Sequence, residues 1–365
     1  MAGIYIHIPF CKKKCHYCNF FSVASEKLKI GFIESLIREV EIRNDYLESE
    51  EVNTIYFGGG TPSLLDPEEI NRIIQTVNRS FNVVDNVEIS LEFNPDDVTQ
   101  IKLNELKDTG VNRISLGVQS FNDKDLLYLD RTHNSADSKK AIESIILSEF
   151  SNITIDLIYG IPGSDLSSWE NNLLTFIDYD IPHLSAYALT VENSTSLKWL
   201  IEKKKLDDVS EKLMSEQFKL LLNILESNNY IHYEISNFAR KGYYSKHNSL
   251  YWLGGNYIGL GPSAHSYNGK SRQWNISNIS KYKESFEIQN IVKELEVLTN
   301  DQKYNEYVMT SLRTVWGIDI EHISNVFGIE YSKYFEKSTE KFIQQKLMNR
   351  EVNKFSLTNS GKFLA

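Results

Sequence analysis

The sequence predicts an α/β protein built on a partial (βα)6 TIM-type barrel, followed by a small C-terminal helical, winged-helix-like domain. Up to Leu189, short β-branched and aromatic runs alternate with amphipathic runs of helical period, which is typical of parallel β-α units. From Leu295 onward the pattern changes to helical runs and a final pair of short strands. We therefore predict two domains, residues 1–274 and residues 295–365.

Six predicted strands are nearly continuous in apolar or β-branched residues, as burial on both faces of a sheet requires. They are Gly3 to Pro9, Val52 to Phe57, Val87 to Phe93, Arg113 to Val118, Ile153 to Ile158 and His183 to Leu189. A helix is predicted from Lys27 to Arg43, where apolar residues recur every four positions. A second helix is predicted to begin after Asp66, which offers an N-cap followed by proline and two acids.

The pattern becomes less regular after the sixth strand. A long amphipathic helix is predicted at about Asp207 to Asn228, followed by an extra strand from Ile231 to Ser236. A loop-rich aromatic segment then runs to about Trp274, where we expect the barrel domain to end. The last predicted strands are Leu347 to Val352 and Phe355 to Thr358.

The composition is that of an ordinary globular protein able to bury a large core, with 365 residues of which 41% are hydrophobic and 24% charged. The formal charge of −10 argues against nucleic acid as a partner, and the C-terminal domain carries no basic stripe. No stretch reaches the roughly 18 apolar residues of a membrane span, and the N-terminus does not resemble a secretory signal. We expect a cytoplasmic protein that is not an integral membrane protein.

The three cysteines of the chain, Cys11, Cys15 and Cys18, follow the first predicted strand on one short loop. An odd, tightly grouped set cannot form a disulfide framework, so metal binding is the first hypothesis. Three thiolates suit a [4Fe-4S] cluster with one iron left open, whereas a structural zinc site would need a fourth ligand such as His16. We expect the lysines within the loop to lower the thiol pKa values, unless they are simply solvated.

Polar groups and glycines stand at the ends of the following strands. The second strand ends in a Gly58–Thr61 turn, and Glu92, Gln119 and Asp156 lie in later strands. Barrel active sites gather at the C-terminal ends of the strands, where glycine also lets a ligand approach the backbone closely. A buried carboxylate is costly unless it has a partner, so Glu92 and Asp156 are expected to contact a ligand.

The Cys-x3-Cys-x2-Cys loop after a first strand resembles the signature of the radical S-adenosylmethionine (SAM) superfamily. Three further motifs are similar to the branch that contains oxygen-independent coproporphyrinogen III oxidase, namely Tyr5-Ile6-His7-Ile8-Pro9-Phe10-Cys11, Gly117-Val118-Gln119-Ser120-Phe121 and Asp156-Leu157-Ile158-Tyr159-Gly160-Ile161-Pro162. The resemblance implies a [4Fe-4S] cluster whose open iron binds SAM, and reductive cleavage of SAM to a 5′-deoxyadenosyl radical. The implied SAM contacts are Tyr5, Tyr17 (near the adenine), Gly59, Gly60, Thr61, Glu92, Gln119, Arg131, Asp156, Ala188 and His265.

One further motif resembles the haem chaperone (HemW) subgroup of this branch. It is the segment His247-Asn248-Ser249-Leu250-Tyr251-Trp252. In that subgroup the histidine is implicated in haem binding, which would make His247, Tyr251 and Trp252 the haem-binding residues. A neutral imidazole can ligate iron and the two aromatic rings offer flat apolar area, although such a segment can also be a packed aromatic loop. His16, His133, His183, His232 and His322 are expected to be structural.

Two functions are therefore compatible with the sequence. The first is a haem chaperone that carries a SAM-liganded [4Fe-4S] cluster and passes haem to an acceptor protein, which by family resemblance is a respiratory protein. The alternative is an oxygen-independent coproporphyrinogen III oxidase, which decarboxylates its substrate by radical chemistry. The first is favoured because Phe20 stands where the oxidases have a fourth cysteine, and because Cys11 lies close to the N-terminus.

Overall fold

The computed structural model describes residues 2–287 and 293–365. Its strands are β1 Ala2–Ile8, β2 Val52–Gly59, β3 Val83–Phe93, β4 Arg113–Gln119, β5 Ile153–Tyr159, β6 His183–Ala188, β7 Ile231–Glu234, β8 Asn237–Ala239, β9 Asn256–Leu260, β10 His265–Tyr267, β11 Ser271–Asn275, β12 Lys293–Val297, β13 Ile318–Asp319, β14 Met348–Glu351 and β15 Lys354–Leu357. Its α-helices are α1 Phe32–Ile42, α2 Pro67–Ser80, α3 Gln100–Lys107, α4 Asp123–Tyr128, α5 Ser135–Leu147, α6 Leu166–Asp178, α7 Ser196–Glu202, α8 Glu211–Ser227, α9 Lys246–Trp252, α10 Ile279–Glu287, α11 Asn300–Leu312, α12 Ile320–Val326, α13 Ile329–Gln344 and α14 Asn359–Lys362. Among these residues no helix is both long and apolar enough to cross a membrane.

Strands β1 to β6 pair in chain order and all run parallel, which confirms the predicted α/β class and the six predicted strands. Helices connect them, and β4 is buried along its whole length, as a strand covered on both faces must be. Helix α2 begins with the predicted cap, because Asp66 and Glu69 form a reciprocal capping box. The helix predicted from Lys27 begins later, since Gly31 adopts a left-handed conformation (φ 74°) just before α1.

The sheet extends beyond the six strands on both sides, to twelve strands in all. The predicted extra strand forms a β7–β8 hairpin, with β8 antiparallel to β6. On the other side β9 runs parallel to β1, and β10 to β12 continue the sheet past Trp274. The expectation of a loop-rich segment here was wrong. A Cβ atom on Gly259 would lie 2.1 Å from the carbonyl oxygen of His265, so glycine is what allows β9 and β10 to approach closely. The same glycine interrupts the apolar run by which β9 could have been predicted from the sequence.

A buried ion pair ties these later strands to the first helix of the barrel. The side chains of Glu39 on α1 and of Arg43, the residue that follows α1, are 0% and 4% exposed, and their charged atoms lie 2.8 Å apart. Glu39 also accepts hydrogen bonds from the backbone of Gly261 and from the side chains of Asn275 and Tyr282. A buried charge needs such partners, so this network fixes β9, β11 and α10 against α1.

The C-terminal segment has a small core of its own. Helices α11 to α14 surround a three-stranded sheet in the order β13-β15-β14, as the predicted helical runs and final strand pair indicate. Its buried residues include Ile318, Ile323 and Phe355. It touches the larger sheet where Val315 donates a backbone hydrogen bond to Tyr233.

Candidate functional site

A cavity with a volume of ≈ 670 Å³ opens at the C-terminal ends of the parallel strands. The cysteine loop, the glycine turn after β2 and the ends of β3 to β6 form its walls. The structure brings most of the predicted cluster and SAM residues together here. They are Cys11, Cys15, Cys18, Tyr17, Gly59, Gly60, Thr61, Glu92, Gln119, Arg131, Asp156 and Ala188.

Tyr5 and His265, two other predicted SAM contacts, do not line this cavity. The hydroxyl of Tyr5 lies 3.1 Å from Nδ1 of His7, and its ring stacks on Tyr56 between neighbouring strands. His265 is exposed on β10 and stacks on Trp274, with ring centroids 5.8 Å apart. The geometry therefore supports fewer SAM contacts than the resemblance implies.

A chain of hydrogen bonds links two of the cysteine sulfurs. Arg131 donates to Sγ of Cys15 at 3.3 Å and to Oδ1 of Asn94 at 2.6 Å. Asn94 in turn donates to Oγ1 of Thr61, which donates to Sγ of Cys11 at 3.5 Å. Asn94 was not among the predicted residues, although its place just after β3 was the signal that could have revealed it. This series of hydrogen bonds holds the cysteine loop against the strand ends.

The lysines of the cysteine loop act differently from the expectation. Burial raises the pKa of the Cys11 and Cys18 thiols, although hydrogen bonds oppose the shift. Lys12 pairs with two carboxylates that follow β3, and Lys13 pairs with Asp130. The expected lowering of these pKa values was wrong for Cys11 and Cys18, because desolvation by burial outweighs the hydrogen bonds and nearby positive charges that oppose it. The two lysines tether the loop to its neighbours.

The thiols line one cavity without converging on a point. Among residues 2–287 and 293–365, no three histidine, cysteine or acidic side chains are placed to hold a single metal ion. A four-iron cluster binds each thiolate at a different iron, so its ligands stand further apart than those of one ion. The donor set and its place on the cavity wall therefore fit a multi-iron cluster.

The glycine turn is shaped by the protein's own backbone. Gly59 has φ 110°, and a Cβ atom on Gly60 would lie 2.6 Å from the carbonyl oxygen of Phe10 and 2.8 Å from that of Ile8. From the sequence, glycine was expected in this turn because it lets a ligand approach the backbone closely. The structure shows that the packing of the turn against the cysteine loop already requires glycine at position 60.

Two carboxyl groups face the cavity from β3 and β5, the strands on either side of β4. Burial raises the pKa of Glu92 to about 7 and that of Asp156 to about 6, and the charge of Asp156 raises the pKa of Glu92 further. Tyr56 donates a hydrogen bond of 2.8 Å to Glu92, and Ser115 donates to Asp156. A cationic ligand in this cavity would offset the cost of ionising both groups.

His247 on α9 is 1% exposed, and both of its ring nitrogens have partners. Nδ1 lies 2.8 Å from Oγ1 of Thr54, and Nε2 lies 2.8 Å from the hydroxyl of Tyr251. Its ring stacks on Tyr56, and burial lowers its pKa to about 3. The imidazole is neutral, and in this conformation neither nitrogen is open to an iron atom.

Tyr251 and Trp252 line a second cavity of ≈ 650 Å³, between the large sheet and the C-terminal segment. The hydroxyl of Tyr251 points back to His247, which therefore supports the cavity wall from behind. Tyr187 and Ser236 line both cavities, so the two spaces are neighbours. The predicted haem residues thus lie beside the cavity that the cysteines line, and outside its wall.

Comparison with known proteins gives consistent results along the whole chain. The family model of the Radical SAM superfamily matches residues 5–175, and that of the HemN C-terminal domain matches residues 298–364. The chain is 33% identical over 358 residues to the heme chaperone HemW of Lactococcus lactis subsp. lactis, covering 98% of this chain and 93% of that protein. It is 30% identical over 367 residues to the heme chaperone HemW of Bacillus subtilis, covering 100% and 97%.

The structure of coproporphyrinogen III oxidase HemN from Escherichia coli superimposes with a TM-score of 0.85 over 100% of this chain and 88% of that one. At 22% identity this likeness establishes the fold. The full-length sequence identity to the chaperones is higher, and it does not favour the oxidase alternative. The chain belongs to the HemW family of heme chaperones within the radical SAM superfamily.

Proposed function

We propose that this protein is a haem chaperone, which binds haem and passes it to an acceptor protein, a respiratory protein by family resemblance. One observation carries the proposal. Tyr251 and Trp252, the aromatic members of the haem motif, line a cavity large enough for a drug-sized or cofactor-sized ligand. The full-length identity to the heme chaperones HemW supports the same function.

The cavity at the strand ends fits a [4Fe-4S] cluster and SAM. Cys11, Cys15 and Cys18 would hold the cluster, which when bound supplies an electron to SAM. Glu92 and Asp156 would bind the cationic groups of SAM, because burial raises the pKa of both carboxyl groups and a cationic ligand would offset the cost of ionising them. The other predicted residues on the wall would complete the SAM site, namely Tyr17, Gly59, Gly60, Thr61, Gln119, Arg131 and Ala188.

His247 was predicted to take part in haem binding, and we propose that it does so through Tyr251. Its Nε2 holds the Tyr251 hydroxyl at 2.8 Å, and its Nδ1 is held by Thr54. A neutral imidazole fixed at both nitrogens is a rigid support, since rotation of the ring would break two buried hydrogen bonds. His247 is therefore a positioning residue for the cavity wall.

Anaerobic titration with haem, followed by visible absorption, tests this function. We expect saturable uptake of a single haem by the wild-type protein and weaker uptake by Trp252→Ala. Trp199→Ala is the matched control, because Trp199 is 50% exposed on α7 and lies outside both cavities. Absence of saturable uptake by the wild type would overturn the proposed function.

A second assay addresses the oxidase. The reconstituted protein is incubated with coproporphyrinogen III, SAM and a reductant, and the porphyrins are separated by chromatography. We expect no decarboxylated product. Steady formation of protoporphyrinogen IX would favour the oxidase and contradict the chaperone proposal.

A further inference from the structure

We propose that haem sits in the second cavity with His322 as its axial iron ligand and with Lys303 and Arg272 as the partners of its propionates. The inference rests on the proposed haem chaperone function and assigns a ligand that the haem motif does not contain. It makes the C-terminal segment part of the haem site.

The shape and chemistry of the cavity suit a flat macrocycle. Its volume, ≈ 650 Å³, lies within the range of about 300–1,000 Å³ that is usual for ligand pockets. Tyr251 and Trp252 line it from α9, while Tyr307 and Phe327 line it from the C-terminal segment. Haem needs flat apolar walls on its faces, and aromatic rings from two opposed elements supply them.

His322 on α12 is the one histidine on this wall among the described parts of the chain. Its ring stacks on Tyr307, with centroids 4.5 Å apart and planes at 29°, and meets the edge of Phe327 at 6.1 Å. The side chain is exposed, and no residue in 2–287 or 293–365 forms a hydrogen bond with either ring nitrogen. The aromatic contacts therefore orient the imidazole while leaving a nitrogen lone pair for iron, unlike those of His247.

Two cations stand on the same wall. Lys303 on α11 forms no ion pair with the residues that the structure describes, so its charge is available to a propionate. Arg272 on β11 is 38% exposed and pairs with Glu306 at 2.7 Å. Glu234 also lines the cavity, and burial raises its pKa to about 7, which reduces its negative charge near neutral pH. The carboxylates of haem would thus find two cations, Lys303 and Arg272, of which Arg272 also pairs with Glu306.

The first test compares His322→Ala with the wild type by titration with ferric haem. Because His322 is exposed, the substitution should leave the fold intact, which thermal melting checks. We expect the main haem absorption band to shift and the affinity to fall by about tenfold or more. Added imidazole should restore the band position. Tyr334→Ala, which removes a 65% exposed ring outside the cavity, should behave as the wild type.

Iron-free protoporphyrin IX separates iron ligation from the fit of the macrocycle. His322→Ala should leave its affinity unchanged, whereas Lys303→Glu should weaken both porphyrins by about fivefold and leave the haem band in place. Lys337→Glu, an exposed charge reversal on α13, is the control.

The outcomes are distinguishable from those of the proposed function. If the wild type binds haem and His322→Ala keeps the same band and affinity, the assignment of His322 is overturned and the chaperone function stands. If the wild type binds no haem, the proposed function itself fails and this inference fails with it.

Discussion

The guanidinium of Arg131 donates a hydrogen bond to Sγ of Cys15 over 3.3 Å, and with its other nitrogen it holds Asn94 at 2.6 Å. Arg131 follows β4, whereas Cys15 follows β1. One side chain thus fixes the position of a predicted cluster ligand relative to the far side of the cavity. A hydrogen bond donated by a charged guanidinium is stronger than one between neutral groups.

Arg131→Met should weaken the retention of the cluster. A hydrogen bond to a charged group contributes about 1.5–3 kcal/mol, so cluster loss in a chelator should be about tenfold faster than in the wild type. Iron content and the decay of the brown absorption under anaerobic conditions measure this. Arg79→Met is the control, since Arg79 donates a hydrogen bond to Thr76 within α2, away from the cysteine loop. Equal decay rates for Arg131→Met and the wild type would contradict the role of Arg131.

Cys15→Ser should abolish the brown iron-sulfur absorption after anaerobic reconstitution, because in the proposed site each cysteine would supply one of the three thiolates. His16→Ala should retain it, since His16 pairs with Asp130 at 3.3 Å and is not needed as a ligand. Iron analysis and absorption spectroscopy measure both variants. Full iron in Cys15→Ser, or zinc that is lost in His16→Ala, would refute the cluster assignment.

Glu92→Gln should make the cluster-free protein more stable at pH 8 than the wild type, with a much smaller difference at pH 4.5. The folded-state pKa of about 7 lies above the ordinary value of 4.5, so the stability of the wild type falls as pH rises through this window. The gain at pH 8 should be about 1–3 kcal/mol, since one pKa unit corresponds to about 1.4 kcal/mol and the cavity admits some water. Urea unfolding at the two pH values measures it.

The same substitution should weaken SAM binding to the reconstituted protein, because the neutral amide no longer attracts a cationic ligand. Glu170→Gln, on the exposed face of α6, is the control in both assays. An equal stability change at both pH values would show that the carboxyl of Glu92 is not held neutral by burial.

Arg43→Met should destabilise the protein strongly. It leaves the carboxylate of Glu39 buried without its positive partner, and such a loss costs about 3–5 kcal/mol. Urea unfolding followed by circular dichroism measures the change. Glu41→Gln on the exposed side of α1 should change the stability little. A loss below about 1 kcal/mol in Arg43→Met, the upper end of the range for surface ion pairs, would show that the hydrogen bonds from Asn275 and Tyr282 suffice to stabilise Glu39.

The six parallel strands and most of the cavity residues were predictable because they depend on local patterns. Continuous apolar runs mark buried parallel strands, and the rule that sites lie at the strand ends then places Cys11, Glu92 and Asp156 together. Gly60 does line the cavity, but the approach of a ligand was an incomplete reason for glycine there, since its close neighbours are the carbonyl oxygens of Ile8 and Phe10.

Other features depend on contacts between distant segments, which a sequence pattern does not encode. Strand β9 was missed because Gly259 interrupts its apolar run, and only the neighbouring β1 shows that it is a strand. His322 has no motif around it, and its place on the second cavity becomes visible only when α12 packs opposite α9. His247 does belong to a motif, but the partners of its two nitrogens lie on β2 and one helical turn further along α9.

The second cavity is divided between two parts of the chain, with α9 on one side and α11 and α12 on the other. A ligand in this cavity would therefore contact both parts of the chain. If the C-terminal segment moves away from α9, the proposed contacts of haem with His322, Lys303 and Tyr307 would be lost together. An acceptor protein that binds the C-terminal segment would then affect all three contacts together, so docking could speed haem release while the acceptor's affinity for haem still sets how much is transferred.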